Sequence, residues 1–194
     1  MINIGCIDIN PWTSRIGNYL QPDFIIIDLD PSDKDFSKAI ETAMAAKQFF
    51  DENSLKTFVK TSGKKGIHLF LPCQGFSFSN ARAIGVNICN QVHKLIARIT
   101  TTTVSVSQRG DKLYIDPNQN DEADTVAAPY SVRPYQIPTV STPLEWREVK
   151  NTLDPSNFTI STILKRLERK GDPWQNILSE KIMVANSKVL AEFL

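Results

Sequence analysis

Two aspartates in one apolar run have the type and spacing for metal chemistry. The run, residues 23–31, reads Asp-Phe-Ile-Ile-Ile-Asp-Leu-Asp-Pro and is typical of a buried strand. Side chains alternate along a strand, so Asp28 and Asp30 project from the same face. Two carboxylates that close repel each other unless a cation lies between them, and hard divalent cations prefer carboxylate oxygen. The alternative is a chance Asp-x-Asp in which Asp30 and Pro31 end the strand with a turn.

A third acid, Asp116, ends another apolar run, residues 112–116. Three carboxylates from two strands could hold two metal ions for phosphoryl or nucleotidyl transfer. A nuclease could use the same acids, because two-metal sites also serve phosphodiester hydrolysis. The candidate phosphate ligands described next argue against a nuclease, since a nuclease needs no triphosphate site.

The segment Thr-Ser-Gly-Lys-Lys-Gly-Ile-His, residues 61–68, contains candidate phosphate ligands. Its glycines allow a turn to bring backbone amides close to an anion. Ser62 can donate from its hydroxyl, Lys65 offers a mobile point charge, and His68 opens the next strand. The spacing is not that of a Walker loop, and a strand rather than a helix follows. The alternative is a hairpin turn with a satisfied histidine.

A third group of candidates contains Arg109 with Asp116, Gln119 and Asn120, followed by Arg133 at the end of residues 130–133. Arginine can clamp a phosphate through two parallel hydrogen bonds. The alternatives are a surface charge on a hairpin for Arg109 and a structural ion pair for Arg133.

Composition limits the class of protein. The 194 residues fit one domain with a substantial core, and the hydrophobic fraction of 41% is ordinary for a globular protein. Neither a membrane span nor a signal peptide is evident, so we expect a cytoplasmic protein without a membrane partner. Three widely separated cysteines argue against a zinc site or a disulfide framework.

Charge gives a weaker signal. The net charge of +1 is low for a protein that coats DNA nonspecifically, although an acidic metal site would offset basic residues elsewhere. Basic residues cluster at positions 56, 60, 64 and 65 and at positions 165, 166, 169 and 170. Each cluster is more often a solvated face than a phosphate track.

The elements that position these residues alternate between strand and helix signals, which predicts an α+β domain. Predicted strands cover residues 24–29, 57–61, 67–71, 104–107, 113–116 and 127–132, with 104–107 and 113–116 forming a hairpin. One predicted helix follows a cap at Asp33 or Asp35, with an apolar stripe of Phe36, Ile40, Ala43, Met44 and Phe50. A second follows a cap at Ser79 or Asn80, with a stripe of Ile84, Ile88, Val92, Leu95 and Ile99. Further helical signals cover residues 144–149, 160–169 and 176–194.

In this order, the segments resemble one family, the primase-polymerase domain of bacterial ATP-dependent DNA ligase D in the archaeo-eukaryotic primase superfamily. The matching segments are residues 9–15, 27–31, 60–68, 116–120, 128–133 and 141–146. The resemblance spans roughly residues 4–178. It implies a primase-type catalytic core of α+β class over residues 1–178, with a mixed or antiparallel sheet and an RRM-like unit flanked by helices. Residues 179–194 would form a helical tail.

The resemblance also implies a function: metal-dependent, template-directed nucleotidyl transfer at DNA ends in non-homologous end joining. Such an enzyme fills gaps or extends ends, prefers ribonucleotides, and uses Mn²⁺ or Mg²⁺ with a nucleoside triphosphate as substrate. Asp28, Asp30 and Asp116 match the family's catalytic, metal-binding acids. The positions that match its nucleotide-binding residues are Ser62, Lys65, His68, Arg109, Gln119 and Arg133. Implied partners are a primer-template with a 5′-phosphorylated gap, a DNA ligase module on this or a separate chain, and a bacterial Ku-type end-binding protein.

The sequence departs from the family pattern at two places. Asn10 stands where many members have a histidine near the nucleotide. Members also have a sizeable segment before the point that corresponds to residues 4–7, so we expect this chain to be N-terminally shortened relative to the family. The second hypothesis is therefore a nucleotide- or DNA-end-binding fragment with little or no catalysis.

Overall fold

The computed structural model describes residues 5–179. In this part of the chain, eight strands and three helices follow one another as β1 (Phe24–Pro31), α1 (Phe36–Glu52), β2 (Phe58–Thr61), β3 (Ile67–Pro72), α2 (Phe78–Leu95), β4 (Thr100–Thr101), β5 (Leu113–Asp116), β6 (Val132–Arg133), β7 (Thr139–Val140), β8 (Pro143–Leu144) and α3 (Ile160–Lys170). Single turns of 3₁₀ helix lie in several of the connections.

Six strands form one sheet in the order β4-β5-β1-β3-β2-β8, and β6 pairs with β7 in a small second sheet. Within the large sheet, only the β4–β5 pair is parallel, and the other described pairs are antiparallel. β1 lies between β3 and β5, which explains why its sequence is nearly all apolar. The predicted α+β class with a mixed sheet is therefore confirmed.

The two faces of the sheet differ, and strand alternation sets the difference. Ile25, Ile27 and Leu29 of β1 belong to the large core that α1 and α2 cover. Ile26 packs on the opposite face with Phe70 and Trp174 in a smaller cluster. Side chains with a spacing of two share a face, so Asp28 and Asp30 lie on the face that carries Ile26, away from the two helices.

The predictions of α1 and α2 were correct in position and wrong in detail. Asp35 caps α1 as predicted, because its carboxylate accepts from the Ser37 amide. The cap of α2 is Ser77, earlier than predicted, since its hydroxyl accepts from the Asn80 amide. Both predicted stripes included one exposed residue, Met44 in α1 and Leu95 in α2. The stripe of α2 also extended beyond its end, because the helix ends at Leu95.

Two predicted elements are absent from the described residues. Residues 104–107 form no hairpin with β5: residues 106–108 make a 3₁₀ turn, and β5 pairs in parallel with β4 instead. Val104 and Val106 are largely exposed, so this stretch has no buried face to hold it in a sheet. Residues 144–149 are not a helix, because Leu144 pairs with β2 as an edge strand and only residues 146–148 turn.

The remaining predictions concern the second half of the chain. The predicted strand 127–132 is reduced to Val132–Arg133, whereas the helix predicted at 160–169 is confirmed as α3. Of the predicted helical tail, residues 177–179 form a 3₁₀ turn, and residues 180–194 lie outside the described part. No helix among residues 5–179 is long and apolar enough to cross a membrane.

Candidate active site

One row of polar side chains crosses four neighbouring strands. Lys60 of β2 lies opposite His68 of β3, His68 lies opposite Asp28 of β1, and Asp28 lies opposite Asp116 of β5. Residues directly opposite each other on antiparallel strands share a face. Asp30 follows Asp28 on that face. The structure therefore brings the three aspartates together on adjacent strands.

Each aspartate has a neighbour that can be displaced. His68 Nε2 lies 3.4 Å from Asp28 Oδ1, and Lys65 Nζ lies 3.2 Å from Asp30 Oδ1. Asp116 accepts from the Asn118 amide at 2.9 Å and from Gln119 Nε2 at 3.4 Å. Asp28 and Asp30 each have one of these contacts and Asp116 has two, so every carboxylate keeps oxygen lone pairs for another partner.

The electrostatics of Asp28 indicate a missing positive charge. Burial and the charges of Asp30 and Asp116 together raise the pKa of Asp28 to about 7, because Lys60 and Lys65 oppose the shift only in part. Within residues 5–179, no three carboxylate, imidazole or thiol groups are already arranged around a common ion position. The donor set nevertheless suits a divalent cation, because three hard oxygen ligands share one face and two of them disfavour the charged form of the third.

The turn between β2 and β3 is fixed by its serine and its glycines. Ser62 Oγ accepts from the amides of Lys64 and Gly66, both at 3.1 Å, which leaves the hydroxyl hydrogen free to donate. Gly63 has φ +73°, and a Cβ there would lie 2.5 Å from Arg133 Cγ. A Cβ on Gly66 would lie 2.5 Å from the carbonyl oxygen of Leu29. The glycines thus let the turn pack against β1 and β6 beside the aspartates.

Arg133 is held by an ion pair and still has a free donor. Its Nη1 donates to Asp8 Oδ1 at 2.8 Å and to Asn10 Oδ1 at 3.0 Å. Its Nε is buried without a hydrogen-bond partner in the described part of the chain, as is Gln119 Oε1. Buried polar atoms are normally paired, so these two atoms indicate a ligand or water at this place.

These residues surround a cavity of about 280 Å³. Seven of the nine residues proposed from the sequence line it, namely Asp28, Asp30, Ser62, Lys65, His68, Gln119 and Arg133. Asp116 is adjacent through its pairing with Asp28. Arg109 does not line the cavity: its guanidinium stacks 3.7 Å from the centre of the Tyr114 ring and donates to the carbonyls of Thr103 and Val104.

Sequence reasoning named Lys60 and Asn120 but did not predict that they support the site structurally. Lys60, assigned to a solvated cluster, is fully buried, and its Nζ lies 2.9 Å from His68 Nδ1. The burial of Lys60 could have been inferred from the turn at residues 62–66, which places Lys60 opposite His68. Asn120 is also fully buried: it accepts from the Ile26 amide and donates to the Ile26 carbonyl, both at 2.7 Å. It thereby replaces a strand neighbour where β5 does not reach β1, and it holds the turn that carries Gln119.

Two proteins similar in sequence to this chain are end-joining proteins named LigD. The chain is 34% identical over 157 residues to the bifunctional non-homologous end joining protein LigD of Bacillus subtilis, and 30% identical over 165 residues to the multifunctional LigD of Mycolicibacterium smegmatis. These matches cover 79% and 83% of this chain but only 26% and 21% of the relatives, so the chain spans about a quarter of their length.

A solved structure is also similar. The polymerase domain of Mycobacterium tuberculosis ligase D in complex with DNA superimposes with a TM-score of 0.76 at 28% identity, over 88% of this chain and 61% of that one. The model of the LigD primase-polymerase domain family matches residues 1–174. The chain therefore belongs to the LigD primase-polymerase domain family.

Proposed function

We propose that this chain adds nucleotides to DNA ends in a metal-dependent, template-directed reaction that fills gaps or extends ends during non-homologous end joining. The observation that supports the proposal is one cavity lined by acids suited to metal ions and by cationic and hydroxyl groups suited to a triphosphate. Membership of the family and the likeness to a polymerase domain solved with DNA support the same function.

Asp28, Asp30 and Asp116 are the residues that would hold Mn²⁺ or Mg²⁺. Such ions lower the pKa of an attacking hydroxyl and neutralise charge on phosphate groups when bound. The contribution of the chain is rigidity, because four residue pairs between β1 and β5 fix the spacing of Asp28 and Asp116. Lys65 is one-third exposed where it contacts Asp30, so it can turn towards an incoming phosphate.

The triphosphate would meet donors from two elements, the turn between β2 and β3 and strand β6. Ser62 can give its hydroxyl hydrogen and Lys65 its ammonium group, while Arg133 Nε is a buried donor without a partner in the described residues. Charged donors stabilise the negative charge that develops during phosphoryl transfer. Gln119 Oε1 is an acceptor, which a sugar hydroxyl requires, and it supports the proposed use of ribonucleotides.

The proposal includes partners. A primer-template with a 5′-phosphorylated gap would be the DNA substrate, a ligase module would seal the product, and a Ku-type protein would hold the ends. A cytoplasmic location belongs to the same proposal, and the three unpaired cysteines are compatible with it.

The test is nucleotide incorporation by the full chain with Mn²⁺, a labelled ribonucleoside triphosphate and a gapped primer-template. We expect extension by the parent chain and a loss of at least about a hundredfold in Asp28→Ala and Asp116→Ala. The matched control is Asp51→Ala, which removes an exposed carboxylate from α1. Circular dichroism of each variant checks that the fold is intact.

Other outcomes contradict the proposal in defined ways. Nucleotide binding without extension would support the second hypothesis, a nucleotide- or DNA-end-binding domain. Shortening of the DNA by a parent chain that does not incorporate nucleotide would indicate a nuclease. Extension that survives both aspartate substitutions would place the chemistry elsewhere.

A further inference from the structure

We infer that Lys60 is a positioning residue that holds the His68 ring in the tautomer with its hydrogen on Nε2, facing Asp28 and the cavity. The inference rests on the proposed function only for its effect on activity. Lys60 does not itself line the cavity, and its side chain is buried against His68, which does.

The hydrogen-bond donors and acceptors around Lys60 fix its role. Ser141 Oγ donates to the Thr61 carbonyl at 3.0 Å, so its remaining capacity is to accept, and Lys60 Nζ donates to it. The second contact of Nζ is His68 Nδ1 at 2.9 Å. The charge of Asp28 favours the ammonium form of Lys60, which has donors and no acceptor, so in this form Nδ1 presents its lone pair to Lys60.

The other end of the ring leads to the same tautomer. His68 Nε2 faces Asp28 Oδ1 at 3.4 Å, and Asp28 can only accept in the ionised form that Lys60 and Lys65 favour. A neutral imidazole carries one hydrogen, and both neighbours therefore assign it to Nε2. Burial lowers the pKa of His68 well below its usual value, and the charges of Lys60 and Arg133 act in the same direction.

The buried position of Lys60 keeps its ammonium group away from solvent. No part of its side chain is exposed, and Nζ lies 5.7 Å from the centre of the Phe70 ring. Burial and the charge of Arg133 together lower the pKa of Lys60 to about 7, although the charge of Asp28 opposes the shift. A buried lysine costs free energy, and an orienting contact to a residue of the cavity is a reason to retain one.

The consequence for the proposed reaction is a fixed donor at the cavity. With hydrogen on Nε2, His68 can donate to a phosphate oxygen without any change in its protonation. With hydrogen on Nδ1, Nε2 would present a lone pair to an anion and repel it. A hydrogen bond to a charged group is worth about 1.5–3 kcal/mol, which corresponds to roughly ten- to a hundredfold in kcat/KM.

The experiment measures the tautomer directly. Nitrogen-15 NMR of the full chain reports which imidazole nitrogen carries hydrogen, and the chain has two histidines, so His68→Asn assigns both signals. His93, whose Nδ1 lies 2.8 Å from Thr100 Oγ1, is the internal control. The test variant is Lys60→Met, whose unbranched side chain replaces the aliphatic part of lysine and removes the donor. The matched control is Lys94→Met, at an exposed position of α2.

We expect hydrogen on Nε2 of His68 in the parent chain and in Lys94→Met, and a mixture of tautomers in Lys60→Met with His93 unchanged. Incorporation should fall roughly ten- to a hundredfold in Lys60→Met, and no further when His68→Asn is combined with it than in His68→Asn alone. Hydrogen on Nδ1 in the parent chain overturns the inference, even if Lys60→Met fails to fold. An unchanged tautomer in folded Lys60→Met overturns it as well. Absence of incorporation by the parent chain refutes the proposed function, and the tautomer still decides the role of Lys60.

Discussion

Asn120→Ala is expected to destabilise the protein more than an asparagine substitution at any exposed position. The side chain of Asn120 pairs both backbone groups of Ile26 at 2.7 Å and donates to the Pro117 carbonyl at 2.6 Å. Ile26 and Asn120 are both fully buried, so truncation leaves a backbone N–H and a C=O without partners. Each unpaired group costs about 1–3 kcal/mol. Because water can enter part of the vacated space, we expect a loss of about 3 kcal/mol.

Urea unfolding followed by tryptophan fluorescence measures this loss, since the chain has three tryptophans. With a denaturant dependence of about 2 kcal/mol per molar urea, the midpoint should fall by about 1.5 M. Asn90→Ala, at an exposed position of α2, is the matched control and should change stability by less than about 0.5 kcal/mol. Asn120→Asp keeps the acceptor for the Ile26 amide, loses both donors and buries a charge, so it should be at least as destabilising as Asn120→Ala.

A loss of less than about 1 kcal/mol in Asn120→Ala would refute the need for Asn120 as the partner of the Ile26 backbone. Such a result would show that water or a shifted backbone satisfies Ile26 without Asn120. A large loss in Asn120→Ala together with a stable Asn120→Asp would show that only the amide of Ile26 needs a partner.

Three further predictions use the same unfolding assay. Gly63→Ala should lose about 1–3 kcal/mol more than Gly75→Ala, because both have positive φ but only the former meets neighbouring atoms; equal losses would contradict the clash. Burial acts to raise the pKa of Glu148, but hydrogen bonds from two basic residues of α3 outweigh it and lower the pKa to about 2, below its usual 4.5. Its contribution of up to about 3 kcal/mol is therefore present above pH 4.5 and lost as the pH falls towards 2, and Glu148→Gln should flatten stability across that window. Trp174→Ala should cost about 3–5 kcal/mol because the ring is buried against Phe70, whereas Trp12→Ala, at a half-exposed position, should cost much less. A loss in Trp174→Ala as small as that in Trp12→Ala would show that the smaller hydrophobic cluster around Ile26 adds little stability.

Alternation along strands made much of the site predictable. The placement of Asp28 and Asp30 on one face follows from their spacing, and the turn at residues 62–66 follows from its glycines. The central position of β1 follows from its continuous apolar composition. These inferences depend on local geometry, which a sequence records directly.

Errors came where local patterns had to compete with partners distant in the chain. Residues 104–107 alternate like a strand but have no sheet face to bury, while Leu144, at the start of a predicted helix, pairs as an edge strand beside β2. Arg109 has the charge of a phosphate ligand, yet Tyr114 and two carbonyls hold it away from the cavity.

The sequence by itself determined the residue types, the faces of the strands and the family resemblance. Only the tertiary structure decided which face the helices cover, and that choice left the aspartates on the other face with the cavity. Strand pairing also places Lys60 in the interior, in register with His68 and Asp28, although the sequence had suggested a surface cluster. The physical reason is that periodicity fixes the direction of a side chain relative to its own strand, whereas its neighbours depend on register and packing between segments far apart in sequence.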